Sequence, residues 1–163
     1  MKHLLFFFLS VWAFCANAQK VTLQNVSFDG MEGWNVVQGD AFSKDGKCVL
    51  PQGQPAKIVQ TVQTEKGVYN LTASVSIPNC DGRCFLFGKG DGFSVASTEV
   101  PKVRDMQGES VKVFVRGVET ESGLIEIGLY NDGFHDVLID DVELVKCEKP
   151  YVFLQGGDVT ELN

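Results

Sequence analysis

The chain of 163 residues carries 14 basic and 21 acidic side chains, a formal net charge of −7, and is 44% hydrophobic. That acidity weighs against nucleic acid and anionic membranes as partners. The length and the ordinary apolar content suit one domain with a core of its own.

At the N-terminus, Lys2 and His3 precede the apolar run Leu4 to Phe14, and Ala16-Asn17-Ala18 supplies a small-residue cleavage site before Gln19, the pattern of a signal peptide over residues 1–18. The run is too short for a membrane span. Phe14 before Cys15 makes a poor lipid-anchor signal, so the chain is expected to be secreted to the periplasm, cell surface or exterior. Processing removes Lys2 and leaves 13 of the 14 basic residues against 21 acidic ones, a net charge of −8.

From residue 19 to 149 the chain shows almost no helical period. Short runs of alternating polarity recur between turns rich in Gly, Asp, Asn and Pro, which predicts an all-β sandwich of eight or nine strands. Weak strands are expected at Val21 to Phe28, Trp34 to Val37 and Cys48 to Leu50, and a strong one at Lys57 to Gln63. Val68 to Ile77 is the clearest: Tyr69, Leu71, Ala73, Val75 and Ile77 share one face, and Asn70, Thr72, Ser74 and Ser76 the other. Cys84 to Phe87 and Phe93 to Ala96 are weaker. In Val111 to Val118 the valines at 111, 113 and 115 point inward and set Lys112, Phe114 and Arg116 together outside. Leu124 to Tyr130 and Val137 to Lys146 complete the series.

The last strand poses a problem. Strict alternation places Asp140 with Leu138, Val142 and Leu144 on the inner face, where an unpaired carboxylate costs several kcal/mol or is driven neutral. Either something compensates Asp140, such as a bound cation, or the strand bulges and turns it to water.

Cys48, Cys80, Cys84 and Cys147 remain after processing, and an even count in an exported chain favours disulfides. Three connectivities are open. Cys80 and Cys84 would close a local loop, leaving Cys48 to join Cys147. A zinc site is disfavoured because His135 is the single histidine beyond the signal peptide.

Four segments together resemble the carbohydrate-binding modules built on the galactose-binding-like β-sandwich, a jelly roll. Asn25-Val-Ser-Phe-Asp29 followed by Gly33-Trp34 is similar to the opening motif of these modules, and Trp34 takes the place of their buried tryptophan. Ile58 to Val62 with Gly67 to Ala73 resembles their central strand pair, and Gly123 to Gly128 followed by Val137 to Leu144 their closing strands. The resemblance implies a structural calcium held by Asp29 and Asp140 with backbone carbonyls, although Asp29 is shorter than the usual Glu. The tail, residues 150–163, carries a shorter resemblance: Val152 to Leu162 looks like the first strand of the catalytic barrel of arabinogalactan endo-β-1,4-galactanases, which implies a glycoside hydrolase domain in cis or trans and galactan or arabinogalactan as the glycan.

Sugar recognition needs a flat apolar surface beside planar hydrogen-bonding groups. Phe114 with Arg116, Tyr130 with Asn131 and Asp132, and the loop Arg83 to Phe93 offer both, whereas ordinary packing weighs more for Phe85 and Phe87. No catalytic residue is assigned: His135 is the one available imidazole, no Gly-x-Ser-x-Gly segment exists, and Asp140 and Asp141 alternate faces. The expected function is therefore non-catalytic polysaccharide binding, with a structural spacer or docking sandwich as the rival.

Overall fold

A computed structural model describes residues 19–77, 82–91, 95–101 and 109–147. Ten strands run in the order β1 (Asn35–Gln38), β2 (Phe42–Lys44), β3 (Lys47–Leu50), β4 (Ala56–Gln63), β5 (Gly67–Ser76), β6 (Cys84–Lys89), β7 (Val95–Glu99), β8 (Ser110–Thr120), β9 (Leu124–Asn131) and β10 (Val137–Lys146). They pair antiparallel into two five-stranded sheets, ordered β1-β4-β9-β6-β7 and β2-β3-β10-β5-β8. No helix occurs among the described residues.

Alternation drives this arrangement. Tyr69, Leu71, Ala73 and Val75 of β5 are 1% exposed or less and meet Ile58, Leu86, Ile125, Ile127 and Leu129 from the opposite sheet in one core. Phe28 and Trp34 seal an end of that core, with ring centroids 5.3 Å apart, and the Trp34 Nε1–H donates to the Asn25 carbonyl. Truncating a fully buried leucine such as Leu71 to Ala would cost about 2–5 kcal/mol.

The expected strand at Val21 to Phe28 does not form. Asn25 and Phe28 take left-handed φ of 44° and 47°, which interrupts any extended ladder. The segment instead clasps the two sheets. The Val21 N–H donates to the Leu144 carbonyl on β10 and the Lys146 N–H to the Gln19 carbonyl, while Gln24 exchanges two 2.9 Å hydrogen bonds with the buried Gln60 side chain of β4.

Two bulges set the phase of the second sheet. Against β5, Tyr69 and Leu71 face Val118 and Val115, so β8 carries one extra residue, and Gly117 absorbs it with φ of 76°. On β10 the partners of Ser74 and Thr72 are Asp140 and Glu143, again one residue more, with Asp141 at φ 49°. Val137 and Ile139 therefore point inward before the bulge, and Val142 and Leu144 after it, all 1% exposed or less. Asp140 falls on the outer face, half-buried, and its Oδ1 accepts the Asp141 N–H at 2.8 Å. The inward carboxylate expected from strict alternation is thus corrected, because the bulge reverses the parity of Leu138 and Asp140 and leaves Val142 and Leu144 inside.

The cysteines also depart from expectation. Cys48, Cys84 and Cys147 are free thiols. Cys48 lies opposite Ile139, whereas Cys147 follows the far end of β10, where its N–H donates to the Val68 carbonyl. Eight residues along a strand separate these points by roughly 25 Å, far beyond the ~7 Å limit between disulfide-linked Cα atoms. The Cys48–Cys147 pairing is excluded by this register. Burial pushes the Cys48 and Cys84 thiols up to about 12, which keeps them protonated and unreactive. Cys80, the other half of the expected local loop, lies outside the described residues, as do the signal peptide, Phe93 and the tail with its galactanase-like segment.

Candidate functional site

Antiparallel pairing aligns side chains across a sheet in rows, and the outer face of the first sheet carries three of them. The first row is Lys57, Tyr130, Phe85 and Glu99, across β4, β9, β6 and β7. The second is Val59, Gly128, Phe87 and Ser97, and the third is Thr61, Glu126, Lys89 and Val95. Lys57, Phe85, Phe87, Lys89, Val95, Ser97, Glu126 and Tyr130 line an open groove of about 390 Å³, within the span of ligand sites at about 300–1,000 Å³.

The groove floor depends on a missing side chain. A Cβ on Gly128 would collide with the Phe87 ring and the Ile58 carbonyl, so glycine lets Phe87 lie across β9 as a platform. Phe87 is only 6% exposed, while Phe85 and Tyr130 are half-buried with centroids 6.5 Å apart and a 38° tilt. Cations border these rings. The Lys57 Nζ sits 4.7 Å from the Phe87 centroid, and the Arg83 guanidinium 4.8 Å from that of Phe85.

Arg83 is fixed from both sides. Its Nε and Nη2 each donate to Glu99 at 3.2 Å, which pushes the guanidinium pKa up, and its backbone N–H donates to Asp132 Oδ2 at 2.6 Å. Asp132 Oδ1 in turn accepts the Phe134 N–H. The loop after β9 therefore positions the cation at the groove's end.

The expected ligand residues divide. Arg83 and Tyr130 share this face. Phe114, 49% exposed, and Arg116 stand on the outer face of β8, on the other sheet, beside Thr72 of β5. Asn131 points the opposite way from Tyr130 and is 2% exposed; its Nδ2 donates to the Leu50 and His135 carbonyls and its Oδ1 accepts the Gly133 N–H. Asn131 is a structural clamp for the turn after β9, which corrects its expected ligand role. The groove also holds Lys57 and Lys89, which no motif singles out, and Phe85 and Phe87, for which packing is the sequence expectation. Their signal is present in Cys84 to Lys89, where Cys84 and Leu86 fill the core yet Phe85 and Phe87 make the second face aromatic as well.

His135 packs edge-on to Phe134 at 5.2 Å, and its Nε2 is buried with no hydrogen-bond partner, so the described residues form no Ser–His–Asp arrangement around it. For a metal, Asp29 and Asp140 supply hard oxygen donors suited to calcium. Both border the β2–β3 hairpin: Phe28, just before Asp29, accepts a hydrogen bond from the Ser43 hydroxyl, and Ile139, just before Asp140, pairs with Cys48. No group of three or more His, Cys, Asp or Glu side chains is placed to hold a metal among the described residues, so backbone carbonyls would have to complete such a shell.

No family model and no curated protein matches the sequence. Solved structures do share the fold. TmCBM61 in complex with β-1,4-galactotriose superposes with a TM-score of 0.62 at 18% identity over 78% of this chain and 99% of the other. The CBM22-1 and GH10 modules of Clostridium thermocellum xylanase 10B, complexed with xylohexaose, give 0.56 at 15% identity over 82% of this chain and 29% of theirs. A CBM4 structure gives 0.54 at 10% identity over 77% of this chain and all of its own. The chain therefore has the β-sandwich jelly-roll fold of carbohydrate-binding modules, some of which are joined to glycoside hydrolases.

Proposed function

We propose that this chain is a secreted, non-catalytic glycan-binding module that takes a polysaccharide along the groove of the β4-β9-β6-β7 face and serves a glycoside hydrolase in cis or trans. The observation that carries the reading is the aromatic floor of Phe85, Phe87 and Tyr130 flanked by Arg83, Lys57, Lys89 and Glu126. Pyranose rings stack on such floors, and the charged groups around them hydrogen-bond to sugar hydroxyls. Galactan or arabinogalactan is the first glycan to try, on the resemblance of the tail and the fold likeness to a galactotriose-binding module.

Affinity electrophoresis of residues 19–163 through gels containing β-1,4-galactan, arabinogalactan, xylan or β-glucan tests the reading. Retardation by one polymer supports it and names a substrate class. Free migration through these and through acidic polymers moves the assignment to a structural spacer, and hydrolysis of any glycan by the purified chain would overturn the non-catalytic role.

Calcium belongs to the same proposal, with Asp29 and Asp140 as its carboxylates and a structural role at the β2–β3 hairpin. Its support is the family resemblance and the shared hairpin, since the outward turn of Asp140 removes the need to neutralise a buried charge. Chelation should lower the melting temperature of the native domain, and Asp140→Ala should abolish that sensitivity. An unchanged melting curve on chelation would discard the metal.

A further inference from the structure

We infer that the glycan taken by this groove is acidic, a polysaccharide with carboxylates on more than one sugar residue. The inference rests on the glycan-binding reading above and names an acidic substrate class in place of neutral galactan. The chain as a whole is acidic, at −7, yet two ammonium groups, Lys57 and Lys89, line the groove against the single carboxylate of Glu126. Neither lysine has a carboxylate within 4.0 Å among the described residues, whereas Arg83 at the groove's end is committed to Glu99.

Their placement makes the point sharper. The Lys57 ammonium is held 4.7 Å from the Phe87 centroid and lines the groove. Lys89 lies two strands across and two rows along, cross-strand from Glu126. Strand spacing and rise put the two backbone positions roughly 16 Å apart. One sugar cannot span that distance, so a polymer bearing repeated carboxylates satisfies both cations, and a neutral chain leaves them with solvent. An acidic chain docking on an acidic protein also needs a locally cationic strip to overcome the overall repulsion.

Isothermal titration of residues 19–163 with galacturonate and glucuronate oligomers, and with β-1,4-galacto-oligosaccharides of equal length, tests the inference. One uronate series should bind at least tenfold more tightly than the neutral one, and raising NaCl from about 50 to 500 mM should weaken it about tenfold. Lys57→Ala and Lys89→Ala should each lose about tenfold for the uronate while melting within a few degrees of the native chain, and Lys112→Ala on the other sheet should lose nothing. Equal or tighter binding of the neutral oligomers, insensitive to salt and to both lysine variants, overturns the acidic assignment and leaves the glycan-binding reading standing. Binding of neither series, nor of any polymer in the gels, overturns both.

Discussion

The outer faces of the two sheets are made from equally regular strands but dispose of their polar groups in different ways. On the second sheet, Lys20 and Lys112 converge on Glu143 at 2.7 and 3.9 Å, Ser74 donates to Asp141, and small hydroxyl side chains fill the β5 row. That face commits Glu143 to two lysines, leaves Arg116 without an ion pair among the described residues, and carries two exposed rings on separate strands, Phe114 on β8 and Phe42 on β2. On the first sheet three rings touch or adjoin one another and two lysines are left unpaired. Rings set apart on separate strands offer no continuous platform for a ligand, whereas adjoining rings bordered by unpaired cations do.

The widest separation should come from two residues three apart on β9. Asn131→Ala leaves the Leu50 and His135 carbonyls and the Gly133 N–H without their partner, so it should cost about 3 kcal/mol in chemical denaturation while groove binding survives in the folded fraction. Gly128→Ala should cost about 1–3 kcal/mol and abolish glycan retention together, because the new methyl group displaces Phe87. Preserved affinity in that variant would show that Phe87 is not the floor.

Next come the surface aromatics. Tyr130→Ala and Phe85→Ala should each weaken binding about tenfold, equivalent to ~1.4 kcal/mol, with little change in melting, whereas Phe114→Ala should change neither. A loss confined to Phe114→Ala would transfer the site to the second sheet.

A smaller effect, visible mainly in acid, belongs to Asp91. Its carboxylate accepts hydrogen bonds from the Ser122 hydroxyl and N–H, the Thr120 hydroxyl and the Glu121 N–H, pinning the loop after β6 to the β8–β9 turn and lowering its pKa from 3.8 to about 2. Because the folded value lies below the unfolded one, the stabilisation is fully present above pH 3.8 and fades as pH falls towards 2. Asp91→Asn should therefore be less stable at neutral pH and flatter between pH 4 and 2; an acid transition identical to that of the native chain would discard this anchor. Smallest of all, Glu143→Gln should cost no more than a fraction of a kcal/mol, since both ion pairs of Glu143 are solvent-exposed.

Much of the fold was legible because one strand, β5, alternates without interruption and its inner residues are among the most deeply buried of those described. The opening segment was misread as a strand, since alternation in Val21 to Phe28 says nothing of the left-handed turns at Asn25 and Phe28. Half of the candidate site was legible: Tyr130 and Arg83 carry both chemical ingredients within a few residues. Phe85 and Phe87 were hidden by their apolarity, because a ring on an outer face and a ring in the core look alike until the neighbouring strands are known.

Composition and alternation by themselves determined an all-β sandwich, its principal strands and the inward residues of β5, because burial of apolar area acts on every second residue of a strand wherever that strand lies. Tertiary structure decided the rest. Register shifts at Gly117 and Asp141 set which way Asp140 points, pairing across β4, β9, β6 and β7 gathers Lys57, Phe85, Phe87, Lys89 and Tyr130 into one groove, and the run of β10 carries Cys147 away from Cys48. Each of these depends on contacts between residues far apart in the chain, and a one-residue bulge is enough to exchange the two faces of a strand.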